Sequence, residues 1–160
     1  MSENASIKAR LTQYLDSVNW HYTVDEERDV IRSKVRLKGK LNQCELVIRM
    51  LDKCFIVYAT VNLRADASCR AKICDYLQRA NFGLRWGNFE LDMGDGEIRY
   101  KVLVDCGDDL DCLPTDSLIR RAIFFPASML DKYGDGILSV MYDMETPEEA
   151  ATRIKNQSQS

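Results

Sequence analysis

Between residues 44 and 63 the chain reads CELVIRML, then Asp52 and Lys53, then CFIVYATVNL. Side chains alternate between the two faces of a strand, and partners in a hairpin count away from the turn in equal steps. If Asp52 and Lys53 form the turn, Met50 faces Phe55, Ile48 faces Val57, Leu46 faces Ala59 and Cys44 faces Val61. All eight then share one face. A slip of one residue would turn that whole set into water, so the register is strongly specified. Asp-Lys is a poorer type I′ turn than Asp-Gly, which leaves a slightly longer loop open. The chain must therefore build an antiparallel sheet with one apolar face, and other elements must cover it.

The flanking sequence supplies those elements. Ile7, Leu11, Tyr14, Leu15 and Val18 recur at helical spacing and predict an amphipathic helix over residues 5–18. From Val30 the period becomes two, with Ile31, Ser33, Val35 and Leu37 on one side and Arg32, Lys34, Arg36 and Lys38 on the other. Asp66 can cap a second helix carrying Ile73, Tyr76, Leu77 and Ala80 and ending before Gly83. Thr115 or Asp116 can start a third with Leu118, Ile119, Ala122, Ile123, Met129, Leu130 and Tyr133, kinked by Pro126 and broken by Gly134 and Gly136. ILSVMYDM then reads as a short further helix, and Thr146-Pro147-Glu148-Glu149 as the start of a last one. Residues 1–155 make a single domain, and the closing NQSQS, 156–160, reads as a disordered tail.

The stretch DMGDGE, at 92–97, crowds carboxylates around two glycines. With Asp95-Gly96 as a type I′ turn, Met93 meets Ile98, Leu91 meets Tyr100 and Phe89 meets Val102, while Asp92 meets Arg99 and Glu90 meets Lys101. One turn explains an apolar and a charge-paired face. As a calcium loop it has glycines where oxygen ligands are needed. DCGDDLDC, at 105–112, has Gly107 at the third ligand position and Leu110 where the glycine belongs, and DKYGDGILSVMY, at 131–142, has Tyr133 and Tyr142 where ligands belong.

Six cysteines, at 44, 54, 69, 74, 106 and 112, are scattered without a CxxC and read as reduced, mostly packed thiols. His21 is the only histidine, a surface residue between a helix and a strand, so paired Cys/His zinc sites lack their spacing. No phosphate loop, HExxH, nucleophile elbow or dinucleotide fingerprint occurs, and no catalytic residue, cofactor or metal is expected. No export signal or membrane-length apolar run is visible, which points to a cytoplasmic protein. A net charge of −3 argues weakly against a dedicated nucleic-acid binder.

The order is helix, three-strand meander, helix, β-hairpin, helices: an α+β fold on an antiparallel sheet. The run ICDYLQRANFGLRWGNFELDMGDGEIRYKVLV, then LPTDSLIRRAI, MLDKYGDGILSVMY and TPEEA, resembles the YbjN-like family of bacterial sensory transduction regulators. The resemblance covers roughly 90 residues in sequence pattern and the first 60 by element order. It implies a fold similar to class I type III secretion chaperones and a non-enzymatic, regulatory or chaperone-like role exerted by protein contact. It carries no catalytic residues over.

Three functions compete. A protein-binding module, expected as a homodimer, would use Val47, Ile56 and Tyr58, apolar residues at outward strand positions, though Glu45, Arg49 and Thr60 interrupt them. A nucleic-acid-binding regulator would use the basic strand face of Arg32, Lys34, Arg36 and Lys38, which carries no interleaved aromatic residues. A metal or acid–base enzyme ranks last.

Overall fold

The computed structural model describes residues 6–108 and 112–157. In chain order the elements are α1 (Ile7–Ser17), β1 (Thr23–Asp25), β2 (Val30–Arg36), β3 (Gln43–Met50), β4 (Cys54–Arg64), α2 (Arg70–Asn81), β5 (Asn88–Leu91), β6 (Glu97–Asp105), α3 (Asp116–Met141) and α4 (Pro147–Gln157). One six-stranded sheet runs β1-β2-β3-β4-β6-β5, every pair antiparallel. β1 extends the expected three-strand meander; three residues are too short to show an alternation.

The β3–β4 hairpin forms in the expected register at Leu46–Ala59, Ile48–Val57 and Met50–Phe55. The amide of Leu51 donates to the Cys54 carbonyl across Asp52 and Lys53. All eight residues assigned to the inner face are buried, and they join a single core with the buried sides of α1, α2, α3 and α4. The described helices thus cover one face of the sheet.

The β5–β6 hairpin departs from the expected register by two residues. Phe89 lies opposite Tyr100 and Leu91 opposite Ile98, while Glu90 lies opposite Arg99. The pairs Met93–Ile98, Asp92–Arg99, Leu91–Tyr100, Phe89–Val102 and Glu90–Lys101 do not form as register partners. Met93, Gly94, Asp95 and Gly96 make a longer turn, closed by the Asp92 amide donating to the Glu97 carbonyl and the Gly96 amide to that of Asp92. A two-residue shift keeps every side chain on its face, so patterning alone cannot separate the two registers. The aspartates decide: Asp92 Oδ1 accepts from the Gly94 amide at 2.7 Å and Asp95 Oδ1 from the Glu97 amide at 2.9 Å, building the longer turn from local side-chain bonds.

α2 begins at Arg70, not beside Asp66, and no side chain caps it. The Asp66 carbonyl instead accepts from the amides of Cys69 and Arg70 in a preceding turn. α3 starts as expected, with Thr115 Oγ1 accepting from the Leu118 amide, but it runs unbroken through Pro126, Gly134 and Gly136. ILSVMYDM is therefore its last turns and exit, not a separate helix. The two glycines serve packing: a Cβ on Gly134 would lie 2.9 Å from Leu41 Cγ, and one on Gly136 would lie 2.6 Å from Tyr76 Cζ. α4 opens on a reciprocal cap, in which the Glu149 amide donates to Thr146 Oγ1 at 3.2 Å and the Thr146 amide to Glu149 Oε2 at 2.9 Å. Asn156 and Gln157, assigned to the tail, are helical; residues 158–160 lie outside the described residues.

Candidate functional site

With the described helices on one side, the outward positions of the strands form the opposite face. Val47 stands opposite Arg32 on β2 and Tyr58 on β4. Ile56 stands opposite Arg49 on β3 and Leu103 on β6. The apolar residues Val47, Ile56 and Tyr58 and the basic residues Arg32, Lys34 and Arg36 thus occupy one surface, where the sequence suggested two. Lys38 lies beyond the end of β2 and is exposed.

Arg49 was already placed among the outward positions in sequence, whereas Leu103, Arg99 and Lys101 were not assigned to this face. Leu103 is 51% exposed although it is a strand leucine. Alternation along EIRYKVLVD already separates Arg99, Lys101 and Leu103 from the buried Ile98, Tyr100, Val102 and Val104. What could not be read was the neighbour: β6 pairs with β4 across a stretch of chain containing α2 and β5. Together Val47, Tyr58, Ile56 and Leu103 make an apolar patch spanning β3, β4 and β6.

Charges frame the patch unevenly. Arg99 lies over the Tyr58 ring at 4.3 Å and donates through Nε to Glu90 Oε2 at 2.7 Å. Lys101 reaches the other oxygen of Glu90. Burial pushes the Glu90 carboxyl upward, but these two cations outweigh it and hold the group below its ordinary range. Arg32 bonds Glu45 at 3.0 Å, and Arg64 pairs with Asp95 and Glu97. Lys34, Arg36 and Arg49 are exposed and make no ion pair among the described residues. A hollow of about 620 Å³ opens on this face, lined in part by Val30, Arg32, Val47, Arg49, Tyr58 and Arg99.

The other acidic sites bind their own chain. Asp131 Oδ1 accepts from the amides of Lys38 and Gly39 at 2.6 and 3.1 Å, and Asp135 Oδ1 from that of Lys40 at 2.9 Å. Asp105 Oδ1 accepts from the Gly107 amide, and Asp108 pairs with Lys53; residues 109–111 of DCGDDLDC lie outside the described residues. Cys44 and Cys69 are buried, Cys54 and Cys106 half-buried, and Cys74 and Cys112 exposed. Burial, reinforced by Asp131, pushes the Cys44 thiol up to about 12, which keeps it protonated near neutral pH. His21 is exposed between α1 and β1. Among the described residues no helix is long and apolar enough to cross a membrane.

Fold and site together define an α+β protein whose antiparallel sheet is sheathed by helices on one face and open on the other. The YbjN family, described as "Putative bacterial sensory transduction regulator", matches residues 8–139, and the chain belongs to that family. Among solved structures the chain is similar to "Crystal structure of YbjN, a putative transcription regulator from E. coli", at 13% identity and a TM-score of 0.57 over 79% of this chain and 90% of that one. That likeness shows a shared fold. No curated protein matches the chain.

Proposed function

We propose that the chain is a non-enzymatic regulatory module that acts by protein contact through the open face of its sheet. One observation carries this reading: the helices all pack on the opposite side, yet Val47, Ile56, Tyr58 and Leu103 remain at the centre of the bare face. Water alone favours polar residues at such positions, and a contiguous apolar patch gains by being covered. The family description, a regulator with no named reaction, supports the same reading.

The test replaces Tyr58 by Glu and compares capture of native partners by the two proteins after nuclease treatment. A carboxylate is costly to bury without a partner, so capture should fall while circular dichroism stays unchanged. Light scattering on the same samples reports whether the expected homodimer exists and uses this face. Unchanged capture and mass in a folded variant would sink the proposal.

Nucleic-acid binding is the second reading, favoured by Lys34, Arg36 and Arg49 standing unpaired on the same face as an aromatic residue. It requires affinity that falls steeply with salt. Loss of captured material on nuclease treatment would favour it.

A further inference from the structure

From the uncompensated charge around the apolar patch, we infer that its occupant is an acidic amphipathic helix of another protein. This rests on the reading above, that the open face binds protein. Arg99 and Lys101 share Glu90, Arg32 holds Glu45, and Arg64 holds Asp95 and Glu97. Lys34, Arg36 and Arg49 have no such carboxylate among the described residues, and Arg49 sits in the strand next to Val47 and opposite Ile56. Glu27, which lines the hollow on this face, makes no ion pair among the described residues either, so the surface offers an apolar centre with an excess of unmatched positive over negative charge beside it, which a partner of opposite charge complements.

The shape of the patch selects a helix. Val47, Tyr58, Ile56 and Leu103 cross three neighbouring strands, roughly 10 Å at ~4.8 Å per strand, or about two turns of an α-helix at ~5.4 Å each. A strand laid on the face would point every second side chain away from the sheet. A helix sets an apolar stripe on the patch while carboxylates flanking the stripe reach down to Arg49 on one side and to Lys34 and Arg36 on the other. Strand addition at the β5 edge is obstructed, because the Asn81 side chain accepts from the Phe89 amide at 2.7 Å and donates to the Phe89 carbonyl at 3.0 Å.

Other occupants fit less well. A second copy joined through the same face by a two-fold axis would bring a second set of the three free cations into the same interface. A nucleic acid would find no open ring for its bases to stack on, because the one aromatic ring on the patch, Tyr58, is already covered by Arg99.

The experiment titrates the full-length protein with three fluorescein-labelled probes: a helical leucine–glutamate peptide of about 15 residues, its leucine–lysine counterpart, and oligothymidylate of similar length. The glutamate peptide should bind, with amide chemical-shift changes confined to β2, β3, β4 and β6. Its affinity should fall about tenfold or more in Lys34→Glu/Arg36→Glu/Arg49→Glu, and it should fall in Tyr58→Glu as well. If the triple variant fails to fold, Arg49→Gln alone should still weaken the glutamate peptide several-fold. Equal binding of the lysine peptide at this face would overturn the acidic occupant and leave the protein-contact reading standing. Tighter binding of oligothymidylate to the same residues would overturn both in favour of nucleic acid. Failure of both peptides to bind overturns the acidic helix; if Tyr58→Glu also leaves partner capture unchanged, the proposed function falls with it.

Discussion

A methyl group added to Gly136 would overlap the Tyr76 hydroxyl, whose proton is donated to the Tyr133 carbonyl at 2.8 Å. Gly136→Ala should therefore force α2 and α3 apart and cost about 1–3 kcal/mol, read as a lower urea midpoint. Gly96 answers to a different constraint. It has φ +80°, and an added Cβ would lie 2.8 Å from the Ala65 nitrogen and overlap the Ala65 carbonyl oxygen. Strain and overlap act together, so Gly96→Val should lose about 3 kcal/mol or more by the same measurement. The need for glycine at 96 was legible, although the assigned turn was too short; the need at 134 and 136 was not, because a glycine that breaks a helix and one that lets a neighbour approach look alike in sequence. Glu90 gives the pH prediction. Its folded-state pKa is depressed, so it contributes stability above its ordinary value of 4.5 that is lost as pH falls through the folded value. The stability difference between wild type and Glu90→Gln should be present at neutral pH and shrink on acidification below that value.

At the scale of elements, the acids of DKYGDG act as a clasp between α3 and the loop that joins β2 to β3. Asp131 and Asp135 take three successive amides, Lys38, Gly39 and Lys40. Asp131→Ala removes the acceptor for two of them, and hydrogen exchange at Lys38 and Gly39 should accelerate while exchange in β4 stays slow. Helix starts were legible where a side chain supplies the cap, as at Thr115 and Thr146, and illegible at α2, where only backbone carbonyls of the preceding turn are used. The β3–β4 register was legible because Asp52 and Lys53 close a tight turn. That of β5–β6 was missed because an even shift preserves both faces.

For the whole molecule, the basic and apolar surfaces were each identified in sequence, but their union was not, since it depends on the β2–β3 register that sets Arg32 opposite Val47, and the extension to Leu103 depends on β6 lying beside β4. One core joins both halves of the chain, so unfolding should be a single transition. The two tryptophans test this: Trp20→Phe leaves Trp86 as reporter in the second half, and Trp86→Phe leaves Trp20 in the first. After allowing for any shift in midpoint, the two fluorescence curves should each coincide with the far-ultraviolet transition of the same variant. Separate transitions would divide the chain into two cooperative units.

The insertion of β6 between β4 and β5 also sets an order of events during synthesis. β1 to β4 follow one another directly and can pair as they emerge, but β4 waits for its second partner until α2, β5 and β6 have been made. Throughout that interval CFIVYATVNL, uncharged and rich in β-branched and aromatic residues, presents an unpaired edge of the kind that recruits strands from other chains. The hairpin that completes the sheet is thus also the segment whose late arrival governs how long the nascent chain stays prone to aggregate.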